Sequence, residues 1–112
     1  MPRGIKLELD AAAMLLDELG NVTRLKIVRL LVRAGQEGLA VGEIQEELGI
    51  PGSTLSHHLS HLRTAGLIRQ EREGTVLRCI VDFGKIDALV KFLTDECCVG
   101  IGRKSDRRQR VA

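Results

Sequence analysis

Residues 53–68, STLSHHLSHLRTAGLI, decide which fold this sequence predicts. Leu55, Leu59 and Leu62 recur at i, i+4 and i+7, which places them on one side of a helix. The opposite side collects hydrogen-bonding and cationic residues and contains no acid: Ser53, Thr54, Ser56, His57, Ser60, His61 and Arg63. A solvated helix face normally mixes acids and bases, so this face is typical of a helix that meets hydrogen-bond acceptors.

The histidines of this helix have different expected roles. His58 lies ~100° further round the helix than His57, so we expect it to be a hydrogen-bonded partner at the helix edge and not a base reader. His57 and His61 have the i, i+4 spacing of a metal-binding pair. No further ligand accompanies them on this helix, and contact with external hydrogen-bond acceptors is the favoured interpretation.

Hydrophobic periodicity predicts four more helices and a β-hairpin. The helices cover about residues 10–19, 22–34, 41–48 and 82–98, the last one running through the cysteines. Asp10, Asn21 and Ser53 are the predicted N-caps of the first, second and polar-faced helices. Strands over about residues 67–72 and 75–81 turn at Glu73-Gly74.

The first and last helices are apolar on more than one side. The first is nearly encircled by Ala11, Met14, Leu15, Leu16 and Leu19. The last has a stripe of Ile86, Leu89, Val90, Leu93 and Cys97, with Ala88 and Phe92 on a second side. One subunit cannot easily cover such helices, which predicts a partner subunit. The second helix is predicted to bury Val22, Leu25, Val28, Leu31 and Val32.

The order of the elements describes a winged helix-turn-helix. A short helix, the tight turn GIPG (49–52), a polar-faced helix and a hairpin follow one another. We therefore predict a mainly α fold with a β-hairpin wing that dimerises through its first and last helices. The polar-faced helix would enter the major groove, and Arg69, Arg72 and Arg78 of the hairpin would touch phosphates or the minor groove. The alternative is an ordinary α+β packing unit with a polar surface.

Composition excludes several classes of protein. The chain has 112 residues, 44% of them hydrophobic, and a formal net charge of +2, which fits one small domain. No apolar run approaches the ~20 residues of a membrane span, and the amino end lacks a signal-peptide pattern. We expect a cytoplasmic protein that has no membrane contact and whose cysteines are thiols.

Residues 1–100 are the predicted domain. Residues 101–112 form a basic tail, which is either disordered or in contact with nucleic acid.

The sequence resembles the ArsR-type (ArsR/SmtB) repressors, small dimeric winged-helix proteins that sense metals and metalloids. The resemblance covers about residues 9–100 and includes NVTRLKIVRLL (21–31) and REGTVLR (72–78). In the polar-faced helix and just beyond it, the matching residues are Ser56, His58, Leu59, Leu62, Ala65, Gly66 and Leu67. The resemblance implies that the first and last helices form the dimer interface.

Two adjacent cysteines stand in TDECCVG (94–100), and Cys79 is the third cysteine of the chain. From the residues alone, Cys97 and Cys98 can be buried packing, an oxidised pair or a metal clamp. Consecutive Cα atoms lie ~3.8 Å apart, below the ~4.4–6.8 Å of ordinary disulfides, so a disulfide between them is strained. One soft atom that bridges both sulfurs relieves this strain.

The resemblance points to an arsenical as that bridging species. The family's cysteine site in the third helix is absent from VGEIQEELG (41–49), and the last helix lacks the His of the family's zinc site. FLTDECC (92–98) resembles instead the branch with vicinal cysteines after the last helix. A monomethylated trivalent arsenical has two exchangeable positions, which Cys97 and Cys98 satisfy. Arsenite would need Cys79, a retained hydroxyl or an outside thiol; Cys79 is the less favoured ligand, its alternative being a small buried residue on a strand.

The predicted function is an arsenic-responsive transcriptional repressor that needs no cofactor. The apo homodimer binds double-stranded operator DNA and leaves it when a trivalent arsenical, methylated As(III) before arsenite, binds Cys97 and Cys98. The alternative is a repressor of the same fold that responds to thiol oxidation or persulfide, which the acidic carboxyl end of the helix disfavours because it reduces thiolate. We do not expect an enzyme, because all three His belong to the polar helix and no phosphate-binding Gly loop is present.

Overall fold

The elements of the chain follow the order of a winged helix-turn-helix. The structure is a computed structural model in which residues 6–102 are described; residues 103–112, most of the predicted basic tail, lie outside them. In chain order the elements are α1 (Leu9–Leu19), α2 (Val22–Ala34), a 3₁₀ turn (Gly35–Glu37), β1 (Leu39–Ala40), α3 (Val41–Leu48), α4 (Gly52–Thr64), β2 (Ile68–Glu73), β3 (Val76–Val81) and α5 (Phe83–Thr94). The α3–turn–α4 unit with the β2–β3 wing confirms the predicted fold class. No helix within residues 6–102 is long and apolar enough to cross a membrane.

The helix starts agree with the sequence prediction at α2 and differ at α1 and α4. Asn21 caps α2 as predicted, its Oδ1 accepting the Arg24 N–H at 3.0 Å. The predicted caps Asp10 and Ser53 are wrong, because α1 begins at Leu9 and α4 at Gly52. At α4, Pro51 takes the N-cap position with extended backbone, and its carbonyl accepts the first helical hydrogen bond from the Leu55 N–H at 3.0 Å.

The sheet has one more strand than the sequence predicted. Its order is β1-β3-β2, with all neighbours antiparallel. β1 pairs Leu39 with Cys79, on the side of β3 opposite to β2, and with two residues it is too short for any alternation to reveal. The wing turn lies one residue later than predicted, because Glu73 still pairs with Val76.

Gly38 allows β1 to approach β3. Its φ is +66°, a left-handed conformation, and a Cβ at this position would lie 2.2 Å from the Cys79 carbonyl oxygen and 2.7 Å from Ile80 Cγ1. Only glycine fits both the conformation and the space.

The core lies between α2, α4 and the inner side of the sheet. Its fully buried large side chains include Leu15, Ile27, Leu31, Ile44, Leu55, Leu62, Leu67 and Val81. The predicted buried stripe of α2 is partly wrong, because Val22, Leu25 and Val32 are exposed while Ile27 is buried. This helix is aliphatic on two sides, and contact with α4 and β3 selects the side of Ile27 and Leu31.

α5 packs against α1, and together they form what we call the α1–α5 layer. The layer buries Ala12 and Leu15 from α1 and Ala88 and Leu89 from α5. Its outer side leaves large apolar side chains exposed: Leu9, Met14, Leu16, Val90 and Leu93. The two-sided apolarity of these helices is therefore not satisfied within one chain.

Replacing Gly38 by Ala should destabilise the fold by roughly 3 kcal/mol, from left-handed strain of about 1–2 kcal/mol together with the clash against β3. Gly74→Ala is a matched control, because Gly74 also has a φ of +66° but nothing within 4 Å of its would-be Cβ. It should cost only about 1 kcal/mol. Urea unfolding at one fixed protein concentration measures both, and equal losses would contradict the close approach of β1 to β3.

Candidate functional site

The exposed face of α4 carries the polar residues that the sequence singled out. Leu55, Leu59 and Leu62 are buried, which turns the opposite face to solvent. Six of the seven predicted DNA-contacting residues of this helix are exposed: Ser53, Thr54, Ser56, His57, Ser60 and Arg63. Hydroxyl, imidazole and guanidinium groups together can donate to and accept from base edges and phosphates.

His61 and His58 each contact another helix of the chain. His61, the seventh predicted DNA contact, has its Nδ1 3.2 Å from Glu18 Oε1 of α1, and 41% of its side chain is exposed. His58 Nδ1 lies 3.3 Å from Arg24 Nη1 of α2. The expectation of a hydrogen-bonded His58 at the helix edge is therefore confirmed.

Arg24 and Glu18 contact α4 and were not singled out from the sequence. Arg24 Nε donates to the Glu18 carbonyl oxygen at 2.7 Å and lies 3.5 Å from Glu18 Oε1. Glu18 Oε1 is buried without a well-aligned hydrogen bond, although His61 and Arg24 lie near it. These contacts join residues far apart in the chain, such as Arg24 and His58, which are 34 positions apart, a separation that local periodicity cannot reveal.

The outer face of the wing pairs its arginines with carboxylates. Arg69 Nε lies 3.0 Å from Glu71 Oε2, and Arg78 Nε lies 3.3 Å from Glu73 Oε1. Arg78 Nη1 also donates to the Glu37 carbonyl oxygen at 3.3 Å. Two of the three wing arginines that were predicted to contact DNA are therefore ion-paired with acids of the wing itself.

The inner face of the wing looks towards α4. Arg63 Nη1 of α4 donates to Gln70 Oε1 of β2 at 3.2 Å, and Arg72 follows Gln70 by two positions on the same face of the strand. Arg72 is exposed and makes no ion pair with any residue in the described range. A cleft of about 230 Å³ separates this face from α4; its lining includes Ser56, Ser60 and Leu77.

α5 ends at Thr94, before the two cysteines, so the predicted continuation of the helix through residue 98 is wrong. Thr94 Oγ1 donates to the Val90 carbonyl at 3.1 Å, one turn back, and a hydroxyl in this role competes with the helical backbone bonds. Asp95 then takes an extended conformation with ψ of 137°, and its negative charge is unfavourable at a helix carboxyl end.

Two left-handed residues shape the segment after α5. Glu96 has a φ of 64° and Cys98 a φ of 65°, which is uncommon for residues other than glycine. Turns closed by the Cys97 N–H on the Thr94 carbonyl (2.9 Å) and the Val99 N–H on the Glu96 carbonyl (3.2 Å) hold this course. Strain of this kind is often found at functional positions.

Cys97 and Cys98, which we call the cysteine pair, are free cysteines, and both are exposed. The two sulfurs lie 3.0 Å apart, and neither forms a disulfide. Cys97 is exposed and lies beyond the end of α5, so it does not continue the helical stripe, and the interpretation that it packs within the core of the chain is wrong. The hydrogen bond with Cys98 raises the pKa of Cys97, and a small loss of solvation adds to the shift.

Cys79 lies elsewhere, fully buried in β3. Gln70 Nε2 donates to its sulfur at 3.4 Å. Burial raises the pKa of Cys79, and the hydrogen bond from Gln70 partly opposes the shift. The surroundings of Cys79 are those of a small core residue. Across residues 6–102, no group of three or more His, Cys, Asp or Glu side chains is arranged to hold a metal ion.

Comparisons with known proteins match both the fold and the polar helix. A family described as a helix-turn-helix domain matches residues 19–71. An uncharacterized HTH-type transcriptional regulator of Methanocaldococcus jannaschii is 39% identical over 66 residues, which cover 59% of this chain and 72% of that protein. A putative arsenical resistance operon repressor, ArsR, of Halobacterium salinarum is 42% identical over 66 residues, but the match spans only 50% of its length.

A solved structure extends the similarity to most of the chain. It is the solution structure of a homodimeric winged helix-turn-helix DNA-binding domain from Mycobacterium bovis, described as a possible ArsR-family transcriptional regulator. Its TM-score is 0.61 at 33% identity, over 79% of this chain and 82% of that one.

The stability of the protein should depend on the protonation of His58. Burial lowers the pKa of His58, and the charge of Arg24 and the rings of His57 and His61 lower it further. Because the unfolded chain keeps the ordinary pKa of ~6.5, it binds the proton first as the pH falls. The His58 contribution to the free energy of unfolding is therefore complete above about pH 6.5 and is lost as the pH falls through the lower, folded-state pKa.

His58→Asn provides the test, because the Asn side-chain oxygen can accept from Arg24 without titrating. Between about pH 7.5 and about pH 5, the wild type should lose more unfolding free energy than this variant. Urea unfolding at fixed protein concentration measures the difference, from which the His61–Glu18 pair, present in both proteins, cancels. Equal losses in the two proteins would show that His58 is not stabilised in its neutral form.

Proposed function

The chain belongs to the ArsR family of winged helix-turn-helix transcriptional regulators, and we propose that it is a repressor that releases DNA on binding a trivalent arsenical. It is a regulator and not an enzyme, like the relatives that it matches. The effector site of the proposal is the cysteine pair. The observation that carries it is the 3.0 Å separation of two free, exposed sulfurs just beyond α5.

Two adjacent thiols match the valence of a monomethylated arsenical. Methylarsenite carries one carbon and two hydroxyl groups on As(III). Each Cys sulfur forms an As–S bond while one As–OH bond breaks, and the thiol proton leaves with the hydroxide as water. Soft thiolates favour such a soft acceptor, and the raised pKa of Cys97 is no obstacle because its proton is carried away in the water formed.

Inorganic arsenite is the weaker candidate for the effector. With the pair bound, its third position keeps a hydroxyl or takes an outside thiol, because Cys79 is fully buried. A relative whose printed name links it to arsenical resistance supports arsenic as the class of effector. The proposal therefore ranks methylated As(III) above arsenite.

The DNA-binding part of the proposal uses the exposed face of α4 and the wing. Ser53, Thr54, Ser56, His57, Ser60, His61 and Arg63 would enter the major groove, with Arg69 and Arg72 on flanking phosphates or the minor groove. Arg72 is the better placed of the two, because Arg69 is paired with Glu71. Residues 1–100 would form this domain, and its place of action would be the cytoplasm.

The dimer of the proposal joins two copies through the outer side of the α1–α5 layer. Exposed apolar side chains on both helices and the homodimeric Mycobacterium bovis domain support it. A two-fold axis through this layer would place two α4 helices on half-sites about 34 Å apart, one turn of DNA. Arsenical binding at the end of α5 would alter that spacing.

A repressor that responds to thiol oxidation or persulfide is the second candidate. The close approach of two exposed sulfurs favours it. The raised pKa of Cys97 opposes it, because oxidants and persulfide donors react with the thiolate, and so does the strain of a disulfide between neighbouring residues. Binding of an arsenical agrees with both the close approach of the two sulfurs and the raised pKa of Cys97.

The central prediction concerns single cysteine replacements. Cys97→Ser and Cys98→Ser should each abolish the release of bound DNA by methylarsenite, while Cys79→Ser, the control, should leave this release unchanged.

The probe is a duplex that the wild-type protein has selected from a random pool. Fluorescence anisotropy of this complex during titration with methylarsenite, arsenite or a persulfide donor measures release. Release by the persulfide donor alone would favour the second candidate, and loss of release in Cys79→Ser would contradict the two-thiol site.

The dimer is tested by a charge in the exposed part of α5. Leu93 is 58% exposed in a single chain, and Leu93→Glu should weaken dimerisation by two to three orders of magnitude, since two side chains each lose roughly 2 kcal/mol of burial. Val22→Glu is the control, because Val22 is 70% exposed on α2, outside the layer. Sedimentation velocity across a dilution series measures both, and a dimer that survives Leu93→Glu would place the interface elsewhere.

A further inference from the structure

We propose that Arg24 is a positioning residue for DNA recognition, because it links the end of α1 to the recognition helix α4 and so fixes the orientation of α4 relative to the α1–α5 layer. We call Glu18, Arg24 and His58 the three-helix junction, since they belong to α1, α2 and α4. The proposal rests on DNA binding by α4 and not on the identity of the effector.

Arg24 uses different nitrogens for its two neighbours. Nε donates to the Glu18 carbonyl oxygen at 2.7 Å and lies 3.5 Å from the Glu18 carboxylate. Nη1 lies 3.3 Å from His58 Nδ1. A guanidinium is planar and rigid, so the positions of the end of α1 and of one residue in α4 are set by the same flat group.

The junction is largely shielded from water. The side chains of Arg24 and Glu18 are only 14% and 19% exposed, so their interactions are screened less than those of a surface pair. The backbone at Arg24 is also fixed, because its N–H donates to Oδ1 of the N-cap residue Asn21 at 3.0 Å. Burial and the charge of Arg24 lower the pKa of His58 and so favour its neutral form, in which Nδ1 can accept from Arg24.

The junction acts on the rotation of α4 about its own axis. Its buried side rests on leucines, which pack without directional bonds and therefore tolerate small rotations. His58 lies at the edge between this side and the exposed face, and Ser56, His57 and Ser60 are its near neighbours on that face. A rotation of α4 would move these side chains relative to base edges, whose hydrogen bonds depend strongly on distance and angle.

The same junction gives the α1–α5 layer a contact with α4. α5 packs against α1, and Glu18 lies in the last turn of α1. If the proposed arsenical site operates, displacement of the layer would move the anchor of Arg24 and hence α4. This regulatory step rests on the proposed function, whereas the positioning of α4 does not.

The experiment compares Arg24→Lys with Arg29→Lys in the full chain. Both variants keep the charge, but Lys is a single-point donor that cannot hold Glu18 and His58 together. Arg29 is exposed on the same helix and makes no ion pair with a described residue. The two probes are the duplex selected from a random pool by the wild-type protein and a scrambled duplex of equal length, both read by fluorescence anisotropy.

Arg24→Lys should weaken binding to the selected duplex roughly tenfold or more and change binding to the scrambled duplex less than about twofold, because phosphate attraction depends on charge and not on the orientation of α4. Arg29→Lys should change neither. An Arg24→Lys protein that matches Arg29→Lys on the selected duplex overturns the proposal. Equal weakening on both duplexes also overturns it, since that is the result of a merely structural role.

Changes at His58 give a second, independent test in case Arg24→Lys does not fold. His58→Ala removes the α4 end of the junction and should reproduce the selective loss, while His58→Asn keeps an acceptor for Arg24 and should restore binding to the selected duplex. Loss in both variants would mean that His58 itself reads DNA, and loss in neither would mean that the link is dispensable; each result overturns the proposal. If the wild-type protein ignores arsenicals while Arg24→Lys still shows the selective loss, the proposed effector is contradicted and the role of Arg24 remains intact.

Discussion

The end of α5 at Thr94 is the constraint on which the proposed effector site depends. Within a helix, consecutive side chains point ~100° apart, and neighbours at i and i+1 do not face each other. Had α5 continued, Cys97 and Cys98 would have diverged around the helix. The left-handed residues Glu96 and Cys98 instead place the two sulfurs 3.0 Å apart on an exposed segment. The strained segment after α5 thereby brings the two sulfurs together, as the proposed two-thiol site requires.

The proposed effector site and the proposed DNA-binding face lie on different elements of the structure, after α5 and on α4. The exposed face of α4 carries no acid, whereas the outer face of the wing balances Arg69 and Arg78 against Glu71 and Glu73. In the proposed complex, attraction to DNA would therefore come from α4 and from the inner face of the wing, which carries Arg72. The α1–α5 layer is connected to both: the cysteine pair follows the end of α5, and Glu18 of α1 contacts α4. In the proposed mechanism, a change at the thiols reaches DNA by moving this layer.

Local pattern was enough to predict the winged fold. The leucine spacing of α4, the Gly-Pro turn before it and the alternation of the hairpin are all encoded within a few residues of one another. The face of α2 was not predictable in this way, because both sides are aliphatic and only packing against α4 and β3 selects Ile27 over Val22. β1 was not predicted, because a strand of two residues is too short to show an alternating pattern. Gly38 lies just before it, where the chain approaches β3.

The candidate site was predictable in its residues but not in its geometry. The adjacent cysteines are apparent from the sequence. The end of α5 was not predicted, because it depends on the hydrogen bond of the Thr94 hydroxyl and on left-handed residues that are not glycine. The three-helix junction could not be predicted from the sequence, because Arg24 and His58 are 34 positions apart. Long-range hydrogen bonds between polar residues leave no period in a sequence.

X-ray absorption at the arsenic edge, on the protein loaded with methylarsenite, tests the central claim most directly. The account predicts a shell of two sulfurs and one carbon around arsenic, and its complete loss when both Cys97 and Cys98 are replaced by Ser. A shell of three sulfurs, or one of oxygen or nitrogen, or the same two-sulfur shell in that double variant, would contradict it.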